Sequence, residues 1–184
     1  MKPGPFAGLI SDELGQVIPR DDGRFDIVFE RTIRKPVEKV WAAITVAERI
    51  ADWFTEVEVD LRLGGLYRIT FRDMDYVVDG VITELEPLRR FAHTWPDVED
   101  PRYHDAYVRY ELWPNPEGCG LRLTQTALPP KYLGSAAGWH TFLEALPGAA
   151  EGIRTPWSAE REAAMGERYR DTLAAFAQPS DAGS

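Results

Sequence analysis

Two polar side chains lie among apolar neighbours on predicted strands, and they are the residues of this sequence best placed to do chemistry. His93 alternates with Phe91 and Trp95, and Gln125 continues the same kind of alternation after Leu123. A buried polar group without a partner costs roughly 1–3 kcal/mol, so each needs the other, a water molecule or a ligand. In small-molecule sites such groups orient one polar atom of a mostly apolar ligand. Alternatively, both are core residues whose hydrogen bonds are satisfied within the protein. A third interpretation is that the assignment of inward and outward strand positions is shifted by one residue.

Other catalytic and metal-binding patterns are missing from the sequence. The three histidines, His93, His104 and His140, do not have the spacing of metal ligands. The acidic stretch 97–105 lacks the spacing of a calcium-binding EF-hand loop, so we predict a solvated loop. Cys119 lies between two glycines with no activating base. We therefore assign no catalytic residue and expect no cofactor and no metal; if the protein is an enzyme, His93 is its candidate general acid or base.

The composition is that of one acidic, compact chain. It has 184 residues, of which 44% are hydrophobic and 28% charged, which suits one domain with a core large enough to enclose a pocket. The net charge of −9 argues against a nucleic-acid partner, whose phosphates require a basic surface. No apolar run reaches the roughly 20 residues that span a bilayer, and the N-terminus lacks the apolar stretch of a signal peptide. We expect no membrane insertion, and the simplest location is cytoplasmic.

Hydrophobic periodicity predicts a hairpin, two short helices and a series of strands. Residues 16–19 and 24–33 flank an Asp-Asp-Gly turn and form the hairpin. Pro36 opens a helix with an apolar stripe, and a second short helix covers residues 47–53. Five strands joined by short turns follow, which is typical of an antiparallel meander. These strands cover residues 66–71, 76–85, 90–95, 107–113 and 121–128.

Helical periodicity returns after the strands. Trp139 and Phe142 belong to a broad apolar face of a helix whose N-cap is Ser135. Pro147 predicts a kink or an end of this helix at Leu146. His140 follows Trp139 by 100° round the helix, which places it at the rim of a pocket or in solvent. A last helix covers residues 158–176.

These elements together predict an α+β fold of the helix-grip type. In it a curved antiparallel sheet wraps around a long C-terminal helix, and two short helices follow the first strand. A helix that lies on a curved sheet leaves a cavity between the two. We expect a flexible arm over residues 1–14, a single domain over residues 15–177 and a disordered tail over residues 178–184.

Several short segments occur in an order that is typical of a known family. They include residues 31–45, the Trp53-Phe54 pair, the turn 61–65, the Thr94-Trp95 pair and the segment 138–140. Together they cover about residues 24–146. On these residues the chain resembles the bacterial START-like (SRPBCC) proteins related to the activator of the Hsp90 ATPase.

The resemblance implies the helix-grip fold and a cavity that often holds lipids or other hydrophobic molecules in this superfamily. It implies no particular reaction, because function depends on the site and not on the fold. The co-chaperone namesake has an additional chaperone-binding domain that nothing in this sequence matches. This chain also departs from the family pattern, which usually has apolar residues at the positions of His93 and Gln125 and often a histidine near Ala127.

The candidate ligand-binding residues are the aromatic and polar side chains expected to face the cavity. For Trp139 and its neighbours the alternative is plain core packing, while Trp53 and Phe54 would either gate the cavity or fill it. The predicted set is Trp53, Phe54, Tyr67, Phe71, His93, Trp95, Tyr110, Gln125, Trp139 and Phe142.

Three functions remain open on the sequence alone. The first is a protein without catalytic activity that binds a small hydrophobic molecule between the Trp139 helix and the sheet, and the sequence favours it. The second is a cyclase or hydrolase that uses His93 in the cavity. The third is a stress-related protein-interaction module, co-chaperone-like or homodimeric, which would expose an apolar patch of several hundred Å².

Overall fold

The computed structural model describes residues 12–177, and within them one antiparallel sheet of eight strands. The strands are β1 (Gln16–Pro19), β2 (Phe25–Ile33), β3 (Glu56–Val59), β4 (Leu66–Phe71), β5 (Tyr76–Glu86), β6 (Arg90–Thr94), β7 (Tyr107–Asn115) and β8 (Gly118–Leu128). Their order across the sheet is β1-β2-β8-β7-β6-β5-β4-β3. The predicted tail and residues 1–11 of the predicted arm lie outside the described residues.

Four helices complete the described part of the chain: α1 (Val37–Thr45), α2 (Ala47–Ile50), α3 (Ser135–Ala149) and α4 (Ala159–Ala177). The two short helices α1 and α2 connect β2 to β3, α3 packs against the inward face of the sheet, and α4 packs on α3. This arrangement confirms the predicted helix-grip fold. No described helix is long and apolar enough to span a membrane.

The inward face of the sheet follows from the alternation of side chains along each strand. In β2, every second residue from Phe25 to Ile33 is buried, and the residues between them are half-buried or exposed. The predicted inward face of β8 is confirmed, because Leu121, Leu123 and Gln125 are all buried. The outward face carries cross-strand charge pairs, which are worth little individually in solvent.

Three details of the prediction differ from the structure. The meander has six strands and not five, because the four-residue strand β3 is too short to give a periodic signal. The helix α3 runs through Pro147 to Ala149, so it does not end at Leu146. Pro147 has no N–H for the carbonyl of Leu143, yet the helix continues beyond it, and the N–H of Ala150 bonds to the carbonyl of Leu146 at 3.0 Å. The N-cap is Gly134 and not the predicted Ser135.

A β-bulge interrupts β8 near its end. The register between β2 and β8 shifts beyond Ile27, so that β8 has one residue more than its partner. Ala127 takes up this extra length with a φ of 60°, and its N–H donates to Oδ1 of Asp26 at 2.9 Å. As a result Leu128, and not Ala127, lies on the same side of the sheet as Gln125.

Candidate ligand-binding site

A cavity with two adjoining lobes lies beside the first turns of α3. The large lobe has a volume of about 380 Å³ and the small lobe about 210 Å³. Phe71, Met74, Trp95 and Gln125 line both lobes and form the junction between them. Six of the ten predicted ligand-binding residues line one or both lobes: Phe54, Phe71, Trp95, Gln125, Trp139 and Phe142.

Phe54 forms the centre of the aromatic wall of the small lobe. Its ring stacks on the indole of Trp139, with 5.2 Å between the centroids and 7° between the planes. Phe142 and Phe71 meet the same ring edge-on at 4.9 Å and 5.6 Å, and Trp95 lies at 6.2 Å. Rings that hold one another at these angles have little freedom to move. The small lobe therefore has a preformed apolar wall.

Gln125 places a primary amide at the junction of the two lobes. Its Oε1 accepts a hydrogen bond from Nε1 of Trp139 at 2.6 Å, and both side chains are almost fully buried. Because an indole N–H is only a donor, it fixes the amide with its oxygen toward Trp139. The amide nitrogen has no hydrogen-bond partner among residues 12–177, so its two N–H groups are left for an acceptor in the cavity.

Most of the large lobe comes from loops, for which strand periodicity makes no prediction. They are the turn after β4, the loop between β6 and β7 and the segment after β8. The tyrosines in these segments are the sequence feature that could have indicated this lobe. They lie far apart in the sequence, so their proximity in the fold could not be predicted. The large-lobe residues missing from the predicted set are Met74, Tyr76, Asp97, Glu99, Tyr103, Ala106, Leu128, Pro129 and Tyr132. The small lobe adds Thr55, Arg72, Asp73, Ser135, Gly138, Trp157 and Glu162, so polar side chains border its aromatic wall.

Asp97 is buried at the wall of the large lobe, so the prediction of a solvated acidic loop is wrong for this residue. Its side chain is 2% exposed, and its Oδ1 accepts the N–H groups of Glu99 and Asp100. The ammonium of Lys131 lies 2.8 Å from its Oδ2. Burial opposes ionisation, but these contacts hold the pKa of Asp97 below its usual range. The large lobe therefore borders on a charged carboxylate.

The other predicted polar residue, His93, is separated from the cavity. Its ring stacks on that of Tyr67 with 3.9 Å between the centroids, and it lies close to Phe91 and Tyr110. None of His93, Tyr67 and Tyr110 lines either lobe. The Nδ1 of His93 lies 3.0 Å from the carbonyl of Thr94. Burial lowers the pKa of His93 to about 4, so the ring is neutral near pH 7. A neutral, enclosed imidazole is poorly placed to exchange a proton with a bound molecule.

Trp53 also lies outside the two lobes. It is 2% exposed, and its Nε1–H donates to the carbonyl of Ala43 at 2.8 Å. This bond turns the indole toward α1, whereas the next residue, Phe54, faces the cavity. The adjacent aromatic residues therefore have separate places, one in the core and one in the wall.

A family model for "Activator of Hsp90 ATPase homolog 1-like protein" matches residues 34–151. The chain belongs to this family. The MLL2253 protein from Mesorhizobium loti is 30% identical, with a TM-score of 0.63, and the match covers 68% of this chain and 96% of that one. CalU16 from Micromonospora echinospora is 26% identical, with a TM-score of 0.68, and the match covers 86% of this chain and 96% of that one. No curated protein matches the chain.

This member of the Hsp90-activator-like family has a second polar region, which is partly buried and which we call the His140 network: Asp12, Gly15, His140, Arg168 and Tyr169. His140 is fully buried, with its Nε2 2.8 Å from Asp12 Oδ1 and its Nδ1 2.8 Å from the Tyr169 hydroxyl. The hydroxyl also accepts the N–H of Gly15 at 2.6 Å, and Arg168 donates to Oδ2 and to the backbone oxygen of Asp12. The predicted position of His140 at the rim or in solvent is therefore wrong.

The charges in the His140 network are set by burial and by mutual contacts. Burial lowers the pKa of His140 below its ordinary value, although its bond to Asp12 acts in the opposite direction. Burial opposes ionisation of Asp12, but His140 and Arg168 together lower its pKa. The network thus joins a neutral imidazole to an ionised carboxylate and ties the described start of the chain to α3 and α4.

Asp12, His140 and Glu144 offer possible metal-ligand atoms within 4.8 Å of one another. Each carboxylate already faces an arginine: Arg168 lies 3.0 Å from Asp12, and Arg161 lies 3.5 Å from Glu144. Two guanidinium groups beside the cluster disfavour a further cation there. We interpret these residues as part of an ion-pair network and assign no metal to them.

Proposed function

We propose that this Hsp90-activator-like protein binds a small, largely apolar molecule that carries one hydrogen-bond acceptor. The observation that carries the proposal is the amide of Gln125. Trp139 engages its oxygen, its nitrogen has no partner among residues 12–177, and the residue lines both lobes. A hydrogen bond from this nitrogen to an acceptor on the ligand would contribute a net stabilisation of roughly 0.5–1.5 kcal/mol.

The walls of the cavity support an apolar and flat ligand body. Phe54, Trp139 and Phe142 form the preformed wall of the small lobe. A few polar groups among aromatic walls are typical of small-molecule sites. The proposal is one of binding without catalysis, since the candidate acid or base His93 lies outside both lobes.

The test compares two probes of the same shape, 2-acetylnaphthalene and 2-isopropenylnaphthalene. The first carries a carbonyl oxygen where the second carries a CH₂ group. Binding is measured by the change in tryptophan fluorescence, to which Trp95 and Trp139 at the cavity contribute. We expect the ketone to bind roughly tenfold more tightly, since one hydrogen bond is worth about 1.4 kcal/mol.

Two variants locate the source of this preference. Gln125→Met removes the amide and should bring the affinity ratio of the two probes close to one. Trp139→Phe keeps the amide but removes the indole N–H and part of the wall, so both probes should bind more weakly while the ketone keeps its preference. If neither probe binds to the wild type, the proposed function is wrong. If both bind equally, the cavity binds apolar molecules but Gln125 does not orient them.

A cytoplasmic location and a homodimer are also part of the proposal. The homodimer is suggested by a protein of the same fold, the Aha1 dimer from Colwellia psychrerythraea, which is 18% identical with a TM-score of 0.61 over 69% of this chain. Sedimentation velocity distinguishes a dimer from the 20.8-kDa monomer.

A further inference from the structure

We propose that the large lobe is a subsite for an organic ammonium group, so that the ligand is an amine or a quaternary ammonium compound with an apolar body. This inference rests on the proposed function, because it names the chemistry of the same ligand. The small lobe and Gln125 would hold the apolar body and its acceptor, and the large lobe would hold the cationic end.

The aromatic rings of the large lobe are the first support. Phe71, Tyr76, Trp95, Tyr103 and Tyr132 all line it. The faces of aromatic rings carry a negative quadrupole, and several of them around one space form the cage that recognises quaternary ammonium groups. Among the described residues no lysine, arginine or histidine lines this lobe.

Two carboxylates add negative potential to the same wall. Asp97 is buried and ionised there, and Glu99 lies beside it. Charges interact more strongly near the protein interior than in bulk water. An anionic ligand would be repelled from this wall, whereas a cation would gain both from the carboxylates and from the rings.

Lys131 shows that these groups already hold an ammonium. Its Nζ lies 2.8 Å from Asp97, 3.1 Å from Glu99 and 5.0 Å from the centroid of the Tyr132 ring. The lysine side chain is 40% exposed and reaches this position on a flexible stem. It can therefore move into solvent and leave the carboxylate of Asp97 to a ligand in the large lobe.

The experiment compares benzyltrimethylammonium with neopentylbenzene, which have the same shape and differ by a cationic nitrogen in place of a carbon. We expect the cation to bind at least tenfold more tightly to the wild-type protein. Asp97→Asn keeps an oxygen for the backbone N–H groups of Glu99 and Asp100 but removes the charge, and it should abolish most of this preference. Lys131→Met removes the competing ammonium and should strengthen binding of the cation several-fold.

Asp75→Asn is the matched control. It removes one negative charge from the turn after β4, outside both lobes, at a residue with a φ of 49° that asparagine tolerates. It should leave the preference unchanged, which separates a specific site from general attraction to an acidic protein. If Asp97→Asn does not fold, the Lys131→Met variant decides, and unchanged or weaker binding of the cation overturns the subsite.

The outcomes separate this inference from the proposed function. Equal binding of the two benzene probes, or binding of the naphthalene probes alone, overturns the ammonium subsite and leaves the binding function in place. Absence of binding by all four probes overturns both.

Discussion

Trp139 and His140 are neighbours on α3, yet they belong to two differently built buried regions. In the His140 network both imidazole nitrogens and both carboxylate oxygens of Asp12 are engaged by the protein itself. At the cavity, Gln125 has its oxygen bound to Trp139 and its nitrogen without a partner in residues 12–177. A fully satisfied network stabilises the fold, whereas a partly satisfied one is costly. The difference is the reason for placing the proposed binding site on the Trp139 side of the helix.

The largest expected effect is that of Trp139→Ala. The indole is 3% exposed, packs on Phe54 and bonds to Gln125, so its loss leaves a hole and an unpaired amide. We expect a decrease in the free energy of unfolding of about 4 kcal/mol and loss of naphthalene binding. Urea denaturation measures the first and fluorescence titration the second. A loss below about 1 kcal/mol would show that the wall is not packed as described.

The buried His93 should make the protein less stable in acid. The pKa of His93 is about 4 in the folded protein, so the unfolded chain takes up a proton below pH 6.5 while the folded protein does not. The contribution of neutral His93 to stability is therefore fully present above pH 6.5, and up to about 3 kcal/mol of it is lost as the pH falls to 4. In His93→Phe the free energy of unfolding should decrease less on acidification than in the wild type. The control His104→Gln, at an exposed site, should show the same decrease as the wild type. Urea denaturation at pH 7 and pH 4.5 measures the difference, and equal pH dependence in wild type and His93→Phe would contradict it.

Tyr169→Phe tests the other side of the comparison. It leaves the N–H of Gly15 and a nitrogen of His140 without the hydroxyl they share. We expect a loss of about 2 kcal/mol in the free energy of unfolding, with unchanged probe binding because the network lies away from the cavity. The control is Tyr67→Phe at a buried residue whose hydroxyl makes no hydrogen bond within residues 12–177, so its loss should matter little. Altered probe affinity in Tyr169→Phe would mean that the two regions are coupled.

The smallest expected effect is the coupling between Gln125 and Trp139. A double-mutant cycle with Gln125→Met and Trp139→Phe should give an interaction energy of about 1 kcal/mol, as for one buried hydrogen bond. Urea denaturation of the four proteins provides the value. Zero coupling would mean that the indole does not orient the amide, and the contrast with the His140 network would lose its basis.

The sequence predicts those parts of the site that lie on regular elements. Alternation in β8 places Gln125 inward, and helical spacing groups Trp139 with Phe142, so periodicity alone identifies these residues. The same alternation places His93 inward but cannot tell a residue in the core from one at the cavity, because both are buried. Depth depends on which neighbouring rings cover the side chain.

The remaining features depend on contacts between distant segments. Asp97 is buried because Lys131, 34 positions later in the chain, reaches it, and no local pattern shows this. The position of His140 depends on Asp12, which is separated from it by 128 positions. Helical spacing predicts the direction in which a side chain leaves the helix axis. It does not predict which other segments pack over that face and bury the side chain.

The bulge in β8 affects the shape of the cavity without determining which side chains line it. A chain without Ala127 would have the same inward sequence of Leu123, Gln125 and the following leucine, now on a regular strand. It would lose the left-handed residue and the bend beside the large lobe. Removing one residue from the backbone would thus remodel the space without replacing any group that lines it.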